Sequence, residues 1–290
     1  MNLKIHLLAA IAAALEAGKA ILEVYRSSDF EVQKKADQSP LTLADRRAHE
    51  IIAGRLAVFD IPLLSEEGKD VAYEERKKWD AYWLIDPLDG TKEFIKKNGE
   101  FTVNIAIIRG RKPMAGVVFV PDKSILYFAS DELGAFKLDF NPAGNVPDSA
   151  TAKILNTPLD RLSDNEADQL LEELMGRSAR LPVDDGSSRP YTIMGSRSHG
   201  GPELEAVVAE KRREHGEVEF ISAGSSLKLC LVAEGRADIY PRTGPTMEWD
   251  TAAGHAVAQA AGARVLQYDT DQALIYNKDN LLNPWFVVIR

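Results

Sequence analysis

The stretch WLIDPLDGTKEF, residues 83–94, runs from three apolar residues directly into two acidic ones. The apolar start predicts a buried strand. Asp86 precedes a proline and is therefore unsuited to a helix, and the pair Asp89-Gly90 is typical of a turn. A helix can begin at Thr91. The stretch therefore predicts a strand, a sharp turn that holds both carboxylates, and the first turn of a helix.

Such a turn can offer two binding chemistries side by side. Carboxylates suit hard cations such as Mg²⁺, and the free N–H groups of Gly90 and Thr91 at a helix start suit a phosphate. The alternative is an ordinary turn in which Thr91 caps the helix. The turn alone leaves both interpretations open.

Three further stretches offer acidic side chains. Glu66 follows a second predicted strand, Asp250 stands at a predicted helix start in WDTAAG (249–254), and Asp45 lies within a predicted helix. Asp250 could instead be a simple helix cap, and Asp45 could pair with Arg46. Together the four stretches predict an assembled oxygen-ligand site. The five histidines and one cysteine show no metal-ligand spacing, so the donors favour Mg²⁺ or Mn²⁺ over Zn²⁺.

The composition is that of an ordinary globular protein. The 290 residues are 45% hydrophobic and 27% charged, which suits one large domain or two modest ones. The net charge of −9 disfavours nucleic-acid binding. If the ligand is anionic, bound cations are the candidates for holding it. The single cysteine, Cys230, fits a reducing compartment and is interpreted as a small buried hydrophobe.

The N-terminal half predicts helices followed by a largely antiparallel sheet. Residues 3–26 keep a helical period that includes charged residues, which favours an amphipathic helix over a signal peptide. A second helix is predicted to open at Ser39-Pro40 and to end before Pro62. No apolar run approaches the roughly 20 residues that span a bilayer, so no transmembrane segment is expected.

The C-terminal half predicts a different organisation. Residues 141–150 are rich in proline, glycine and polar residues and are interpreted as a loop or linker. Beyond them strands and helices alternate, which favours an α/β arrangement. We therefore expect an N-terminal α+β domain over 1–150, with the metal and phosphate motifs, and a C-terminal α/β domain over 151–290 that completes the site.

The motifs DPLDGT (86–91), SEE (65–67) and WDTAAG (249–254) resemble those of the inositol monophosphatase superfamily. Members of this superfamily are Mg²⁺-dependent, lithium-sensitive phosphatases. The resemblance covers nearly the whole chain, with the motifs in family-like order and spacing. It implies a layered αβαβα sandwich of the sugar-phosphatase type. Within the superfamily the chain is more similar to bacterial 3′(2′),5′-bisphosphate nucleotidases. The stretches that carry this similarity are KKADQSPLTLADR (34–46), DPLDGTKEFIKKNGEFTVNIA (86–106), GSRSH (195–199), GSSLKLCLVAEGRADIYPRTGPTMEWDTAAGHA (224–256) and LNPWF (282–286).

The resemblance implies a role for each matching residue. Metal would be bound by four carboxylates and one carbonyl, those of Glu66, Asp86, Asp89, Asp250 and Leu88. Backbone N–H groups of Gly90 and Thr91 would hold the scissile phosphate. The Thr91 hydroxyl, paired with Asp45, would orient the attacking water, and Glu66 would share the base role. Substrate would thus contact Glu66, Leu88, Asp89, Gly90, Thr91 and Asp250.

The substrate class is predicted from cationic residues. Inositol monophosphatases carry a glutamate near the position of Arg242, and an arginine suits a second phosphate better than a polyol. Lys228 and Arg197 are further candidates for the 5′-phosphate. The alternative for each is a solvated surface charge.

The preferred interpretation is hydrolysis of adenosine 3′,5′-bisphosphate to AMP and phosphate by metal-activated water. Its cellular role would be removal of a by-product of sulfate assimilation, and PAPS is a further candidate substrate. Inositol monophosphatase is the alternative activity, and a non-catalytic metal- or nucleotide-binding regulator is the alternative of another class. Two or three Mg²⁺ ions are expected, with Mn²⁺ as a substitute and Li⁺ and Ca²⁺ as inhibitors. A cytoplasmic monomer or homodimer, free or peripheral on the inner membrane, is expected.

Overall fold

A computed structural model describes residues 1–27, 33–34, 40–140, 149–183, 189–196 and 201–290. Arg197 and residues 141–148 of the predicted linker lie outside them. The described helices are α1 (Leu3–Arg26), α2 (Leu43–Leu56), α3 (Tyr73–Arg76), α4 (Thr91–Ile95), α5 (Ser149–Asn156), α6 (Asp164–Met175), α7 (Pro202–His215), α8 (Leu227–Ala233) and α9 (Glu248–Ala260).

The strands form a seven-stranded sheet, a five-stranded sheet and one short pair. The pair is β1 (Gln33–Lys34) with β2 (Pro40–Leu41). The larger sheet has the order β3 (Leu63–Ser65), β4 (Ala81–Asp89), β5 (Thr102–Arg109), β6 (Lys112–Val120), β7 (Ile125–Ser130), β8 (Gly134–Asp139) and β9 (Ala179–Arg180). The smaller has the order β11 (Val218–Ala223), β10 (Tyr191–Ser196), β12 (Ile239–Arg242), β14 (Phe286–Ile289) and β13 (Arg264–Gln267).

The two sheets alternate with three helical layers. Helices α1 and α2 cover one face of the seven-stranded sheet, and α9 covers its other face. Helix α8 packs on α9 and on the five-stranded sheet, whose β10 and β11 also contact α7. Three apolar clusters fill the spaces between these layers. The predicted αβαβα sandwich is confirmed.

Helix α1 forms where the sequence predicts it. The Asn2 side chain accepts hydrogen bonds from the backbone N–H groups of Lys4 (3.0 Å) and Ile5 (3.2 Å), which caps the helix. Leu7, Leu8 and Ile11 are fully buried in the core. By length and composition α1 could cross a membrane, but 72% of its most apolar window is buried inside the protein, as in a core helix.

Two sequence-based boundaries were wrong. The second helix begins at Leu43 rather than at Ser39-Pro40, because Thr42 caps it and Pro40 belongs to β2. Strand β4 does not stop before Asp86 but continues to Asp89, and only Gly90 forms the turn before α4. Pairing of β4 with β5 lets it continue, since Asp86 pairs with Asn104 before the register shifts.

The halves differ in strand direction, as predicted. All neighbours in the larger sheet are antiparallel except β3 and β4. In the smaller sheet β10 is parallel to β11 and β12, and the unpredicted β14 is antiparallel to both of its neighbours. Strand β9, after residue 150, joins the larger sheet. The division at residue 150 stays a prediction.

Close packing of α9 on β6 depends on Gly116. A Cβ at this position would lie 2.5 Å from the Ala253 carbonyl oxygen and 2.9 Å from its Cα. We expect Gly116→Ala to lower the free energy of unfolding by about 1–3 kcal/mol, because the helix backbone must move away. Gly54→Ala is the control, since Gly54 lies in α2 with nothing within 4 Å of an added Cβ. Urea unfolding should show a neutral or stabilising effect there; equal effects at both positions would contradict the packing argument.

Candidate active site

The end of β4 brings two carboxylates to the base of a cleft. Asp86 is 1% exposed and its Oδ1 accepts a hydrogen bond from the Leu88 N–H at 3.0 Å. The register shift between Asp86 and Asp89 breaks the regular pairing with β5. A bulge of this kind re-aims side chains at the end of a strand. Leu88 is itself buried in the core.

Asp250 joins these two residues from the first turn of α9. Its Oδ2 accepts from the Met247 N–H at 2.8 Å, so it also caps the helix, as the alternative interpretation held. Asp86, Asp89 and Asp250 each offer a carboxylate oxygen, and these three atoms lie within 4.8 Å of one another. Residues far apart in sequence thus form one acidic cluster.

Glu66 reaches the same cluster from β3. Strand β3 runs parallel to β4, and the Glu66 N–H donates to the Ile85 carbonyl at 3.1 Å just beyond their last paired residues. The Glu66 side chain interacts with Asp86 through a side-chain hydrogen bond and through its charge. The structure therefore brings together all four side chains that the sequence predicted as ligands.

The pKa values of the three aspartates in this cluster are all raised. Burial, followed by the charges of Glu66, Asp89 and Asp250, raises the pKa of Asp86 well above its ordinary value. Burial and the charges of Asp89 and Glu66 do the same to the pKa of Asp250. Burial raises the pKa of Asp89 to about 6, and the Lys228 ammonium opposes it. Negative charges held this close together favour the binding of a cation.

The chemistry of the donor set fits a hard divalent cation. Every group in the cluster is a carboxylate oxygen, and such oxygens are the ligands that Mg²⁺ prefers. A cation bound there would neutralise the charges that now raise the carboxyl pKa values. The acidic cluster is therefore a candidate metal centre.

Thr91 and Asp45 lie together beside the cluster. The Thr91 hydroxyl is 3.4 Å from Asp45 Oδ1 and 3.4 Å from the Leu88 carbonyl. Asp45 is 1% exposed, and its Oδ2 accepts from the N–H (2.7 Å) and the hydroxyl (2.5 Å) of Thr42. Asp45 thus takes part in the cap of α2 and holds Thr91 with its other oxygen. Its predicted pairing with Arg46 is not needed to explain its burial.

Gly90 allows the loop before α8 to approach the turn. It has φ +90°, and an added Cβ would lie 3.2 Å from the Glu100 carbonyl and 3.3 Å from Ser225 Cβ. The Ser226 N–H, in the same loop, donates to Asp89 Oδ2 at 2.6 Å, and the Ser226 hydroxyl bonds to Asn104 Oδ1 at 2.6 Å. The sequence did not indicate Ser226 and Asn104, because no local pattern reports a contact between a loop and a strand so far apart in the chain.

A cleft of about 170 Å³ opens above the acidic cluster. Its lining includes Asp89, Gly90 and Asp250 together with Lys228 and Arg242. Lys228 is 6% exposed, and its ammonium donates to the Ser225 carbonyl at 2.6 Å, so it is not a solvated surface charge. Burial lowers the pKa of Lys228 to about 8, partly offset by the Asp89 charge.

Arg242 faces the cleft with hydrogen-bonding capacity to spare. One of its terminal nitrogens donates to the Pro245 carbonyl at 2.9 Å, while its buried Nε has no partner. The residue lies at the end of β12 and is half-buried. Of the three predicted phosphate contacts, the structure thus places Lys228 and Arg242 together, and Arg197 lies outside the described residues.

Known proteins resemble this chain in sequence and in fold. The 3′(2′),5′-bisphosphate nucleotidase CysQ of Salmonella typhimurium is 41% identical over 278 residues, which cover 95% of this chain and 96% of that protein. The crystal structure of CysQ from Bacteroides thetaiotaomicron has a TM-score of 0.82 at 49% identity and covers 98% of this chain and 96% of its own. The Thermotoga maritima IMPase shares the fold, with a TM-score of 0.65 at 21% identity. The match covers 96% of this chain and 89% of that chain.

The family assignment rests on nearly the full length of the chain. Residues 4–285 match the model of the inositol monophosphatase family. The match spans β3, β4 and α9, the elements that carry the acidic cluster. The chain therefore belongs to the inositol monophosphatase family, whose members are metal-dependent phosphatases.

Proposed function

We propose that this protein is a Mg²⁺-dependent 3′(2′),5′-bisphosphate nucleotidase that hydrolyses adenosine 3′,5′-bisphosphate to AMP and phosphate. One observation carries the proposal: Asp86, Asp89 and Asp250 form an acidic triad, and Asp89 and Asp250 line the same cleft as Lys228 and Arg242. A cation centre and a second cationic face suit a substrate with two phosphates. The similarity to CysQ proteins supports this substrate class.

In this proposal the triad, with Glu66 and the Leu88 carbonyl, holds two or three Mg²⁺ ions. Bound divalent cations would supply Lewis acidity and neutralise the charge that develops on the phosphoryl group. The backbone N–H groups of Gly90 and Thr91 orient the scissile phosphate. No covalent bond to the protein is needed, because phosphoryl transfer depends mainly on positioning and charge neutralisation.

Thr91 and Asp45 are proposed to orient the attacking water. The hydroxyl of Thr91 is within 3.4 Å of Asp45 Oδ1, which keeps an acceptor directed at it. Asp45 in turn cannot rotate freely, because Thr42 donates two hydrogen bonds to its other oxygen. A water that donates to the Thr91 oxygen would be held in line with the phosphate above Gly90. The pair positions the nucleophile and Glu66 shares the base role.

Arg242 and Lys228 are proposed to bind the second phosphate. The guanidinium of Arg242 has the planar donor arrangement that grips a phosphate with two hydrogen bonds. Lys228 contributes a buried point charge from α8. A substrate with one phosphate and a polyol ring would leave these charges unmatched, which disfavours inositol monophosphate.

We also propose a cytoplasmic location, which fits the free, buried Cys230.

The proposal is tested by phosphate release from two substrates. With Mg²⁺, we expect adenosine 3′,5′-bisphosphate to be hydrolysed with a kcat/KM at least about 100-fold above that for inositol 1-phosphate, since a charged hydrogen bond contributes about 1.5–3 kcal/mol. No release from either substrate would favour the non-catalytic regulator. A preference for inositol 1-phosphate would overturn the proposed substrate.

The same assay on Arg242→Gln isolates the second phosphate. We expect a lower kcat/KM for the bisphosphate and little change for inositol 1-phosphate. Arg264→Gln serves as control, because Arg264 begins β13 and is exposed outside the cleft. An unchanged substrate ratio in Arg242→Gln would remove this residue from the proposed phosphate site.

A further inference from the structure

The first turn of α9 is anchored by an ion pair between Glu248 and the partly exposed Lys278. Glu248 has no exposed surface. Its Oε2 accepts from the Asn277 N–H at 2.6 Å, and its Oε1 accepts from the Lys278 N–H at 3.0 Å and from the Lys278 ammonium at 2.5 Å. Both carboxylate oxygens are thus held by the chain segment that follows β13.

Arg76 grips the same segment from the other side. It is 3% exposed, and Nη1 donates to Asn277 Oδ1 at 2.9 Å and to the Lys278 carbonyl at 3.1 Å. Nη2 donates to the Asp279 carbonyl at 3.1 Å. The Asn277 amide returns a hydrogen bond to the Arg76 carbonyl at 2.8 Å. The guanidinium is therefore fixed in orientation as well as in place.

These contacts tie α3 and the first turn of α9 to the same chain segment. Arg76 ends α3, in the segment between Glu66 and β4, and Glu248 precedes Asp250 in the first turn of α9. Asn283 adds a further contact, since its side-chain amide donates to the Met247 carbonyl at 2.8 Å. Met247 in turn donates to Asp250 Oδ2. A set of polar contacts therefore runs from Arg76 through Asn277 and Glu248 to the first turn of α9, which carries Asp250.

A buried network of charges contributes little to stability, because its desolvation cost is large and apolar residues often replace it without loss. Its use here must be sought in geometry. We propose that Glu248 and Arg76 are positioning residues that hold the first turn of α9, and with it Asp250, in the place needed to bind the divalent cation. This inference rests on the proposed metal-dependent function. Neither Glu248 nor Arg76 lines the cleft.

The test is Mg²⁺ binding to Glu248→Gln, measured by isothermal titration calorimetry. The change replaces one acceptor by a donor facing N–H groups and should let α9 shift. We expect the Mg²⁺ dissociation constant to rise about 10–100-fold, the usual effect of losing a partner of a metal ligand. The Mg²⁺ concentration that gives half-maximal phosphate release should rise by the same factor, while saturating Mg²⁺ restores most of the kcat.

Glu234→Gln is the matched control. Glu234 is 5% exposed, pairs with the Lys137 ammonium at 3.0 Å, and bonds to the Tyr127 hydroxyl, but it lines a different cavity. We expect it to lower the melting temperature as Glu248→Gln does and to leave Mg²⁺ affinity within twofold of wild type. A purely structural role for Glu248 would give equal Mg²⁺ affinities in both variants and would overturn the inference.

A second variant covers failure of Glu248→Gln to fold. Lys278→Met keeps both backbone donors to Glu248 and removes the ammonium alone, and an affinity loss of about 10-fold is expected. Unchanged Mg²⁺ affinity in this variant would overturn the inference in that case. The outcomes also separate the two proposals: wild-type protein that binds no Mg²⁺ refutes the proposed function and this inference with it, whereas wild-type binding with normal variants refutes the inference alone.

Discussion

Asp86→Asn is expected to reduce phosphate release by at least about 10³-fold and, at the same time, to raise the melting temperature of the metal-free protein. The activity falls because a central carboxylate of the cluster is lost. Stability rises because Asp86 is buried beside Glu66, Asp89 and Asp250, whose charges repel it. The amide retains an oxygen that can accept from the Leu88 N–H.

Asp80→Asn is the control for this prediction. Asp80 precedes the same strand, its side chain is 82% exposed, and its nearest cation is Arg109 at 3.3 Å. We expect both activity and metal-free melting temperature to stay close to wild type, because an exposed ion pair contributes little. A lower metal-free melting temperature in Asp86→Asn would mean that its carboxylate is satisfied without a cation, and would contradict the electrostatic account.

The stabilisation of the protein by Mg²⁺ is expected to increase with pH. The folded-state pKa values of Asp86, Asp89 and Asp250 are all raised. Between the unfolded pKa, about 3.9, and the folded value the native protein binds more protons than the unfolded chain, so metal-free stability is lost as pH rises. For Asp89 the loss falls between the unfolded pKa and its folded pKa of about 6. The raised pKa values of Asp86 and Asp250 add losses of the same sign.

Bound cation removes this loss, because the carboxylates are then ionised and neutralised together. Mg²⁺ at about 100 times its dissociation constant should add about 2.7 kcal/mol to the free energy of unfolding. The measurement is the difference in melting temperature with Mg²⁺ and with EDTA at each pH from 5 to 8. The lowered pKa of a buried histidine such as His255 makes the folded protein more stable as pH rises. This contribution is the same with Mg²⁺ and with EDTA, so it cancels in the difference. A difference that is constant or shrinks with pH would contradict the prediction.

Sequence reasoning predicted which acidic residues the fold brings together better than it predicted the shape of the backbone that carries them. The motif at 86–91 indicated a functional site because carboxylates after an apolar run are costly wherever they stand. It did not reveal that Asp86 belongs to the strand, because a partner strand decides how far β4 is paired. The helix start at Leu43 was missed for a similar reason, since proline is tolerated in an edge strand as well as at a helix start.

Long-range contacts were beyond sequence reasoning altogether. The burial of Lys228 depends on α8 lying between α9 and the smaller sheet, and the contact of Ser226 with Asp89 joins residues in different layers. Glu248 stands next to a recognisable motif, but its partners follow β13. Residues with obvious chemistry could be found in the sequence, whereas residues that act by holding others required the fold.

The layered arrangement has a consequence for how such enzymes can diverge. The seven-stranded sheet supplies Asp86 and Asp89, and the smaller sheet with α8 supplies Arg242 and Lys228, with α9 packed between them. In the proposed function, hydrolysis and substrate selection therefore depend on separate layers that meet at one cleft. Substitutions on the β12 side would then change which molecule is accepted while the side proposed to activate water stays intact. A family built in this way can acquire new substrates without having to reinvent its chemistry.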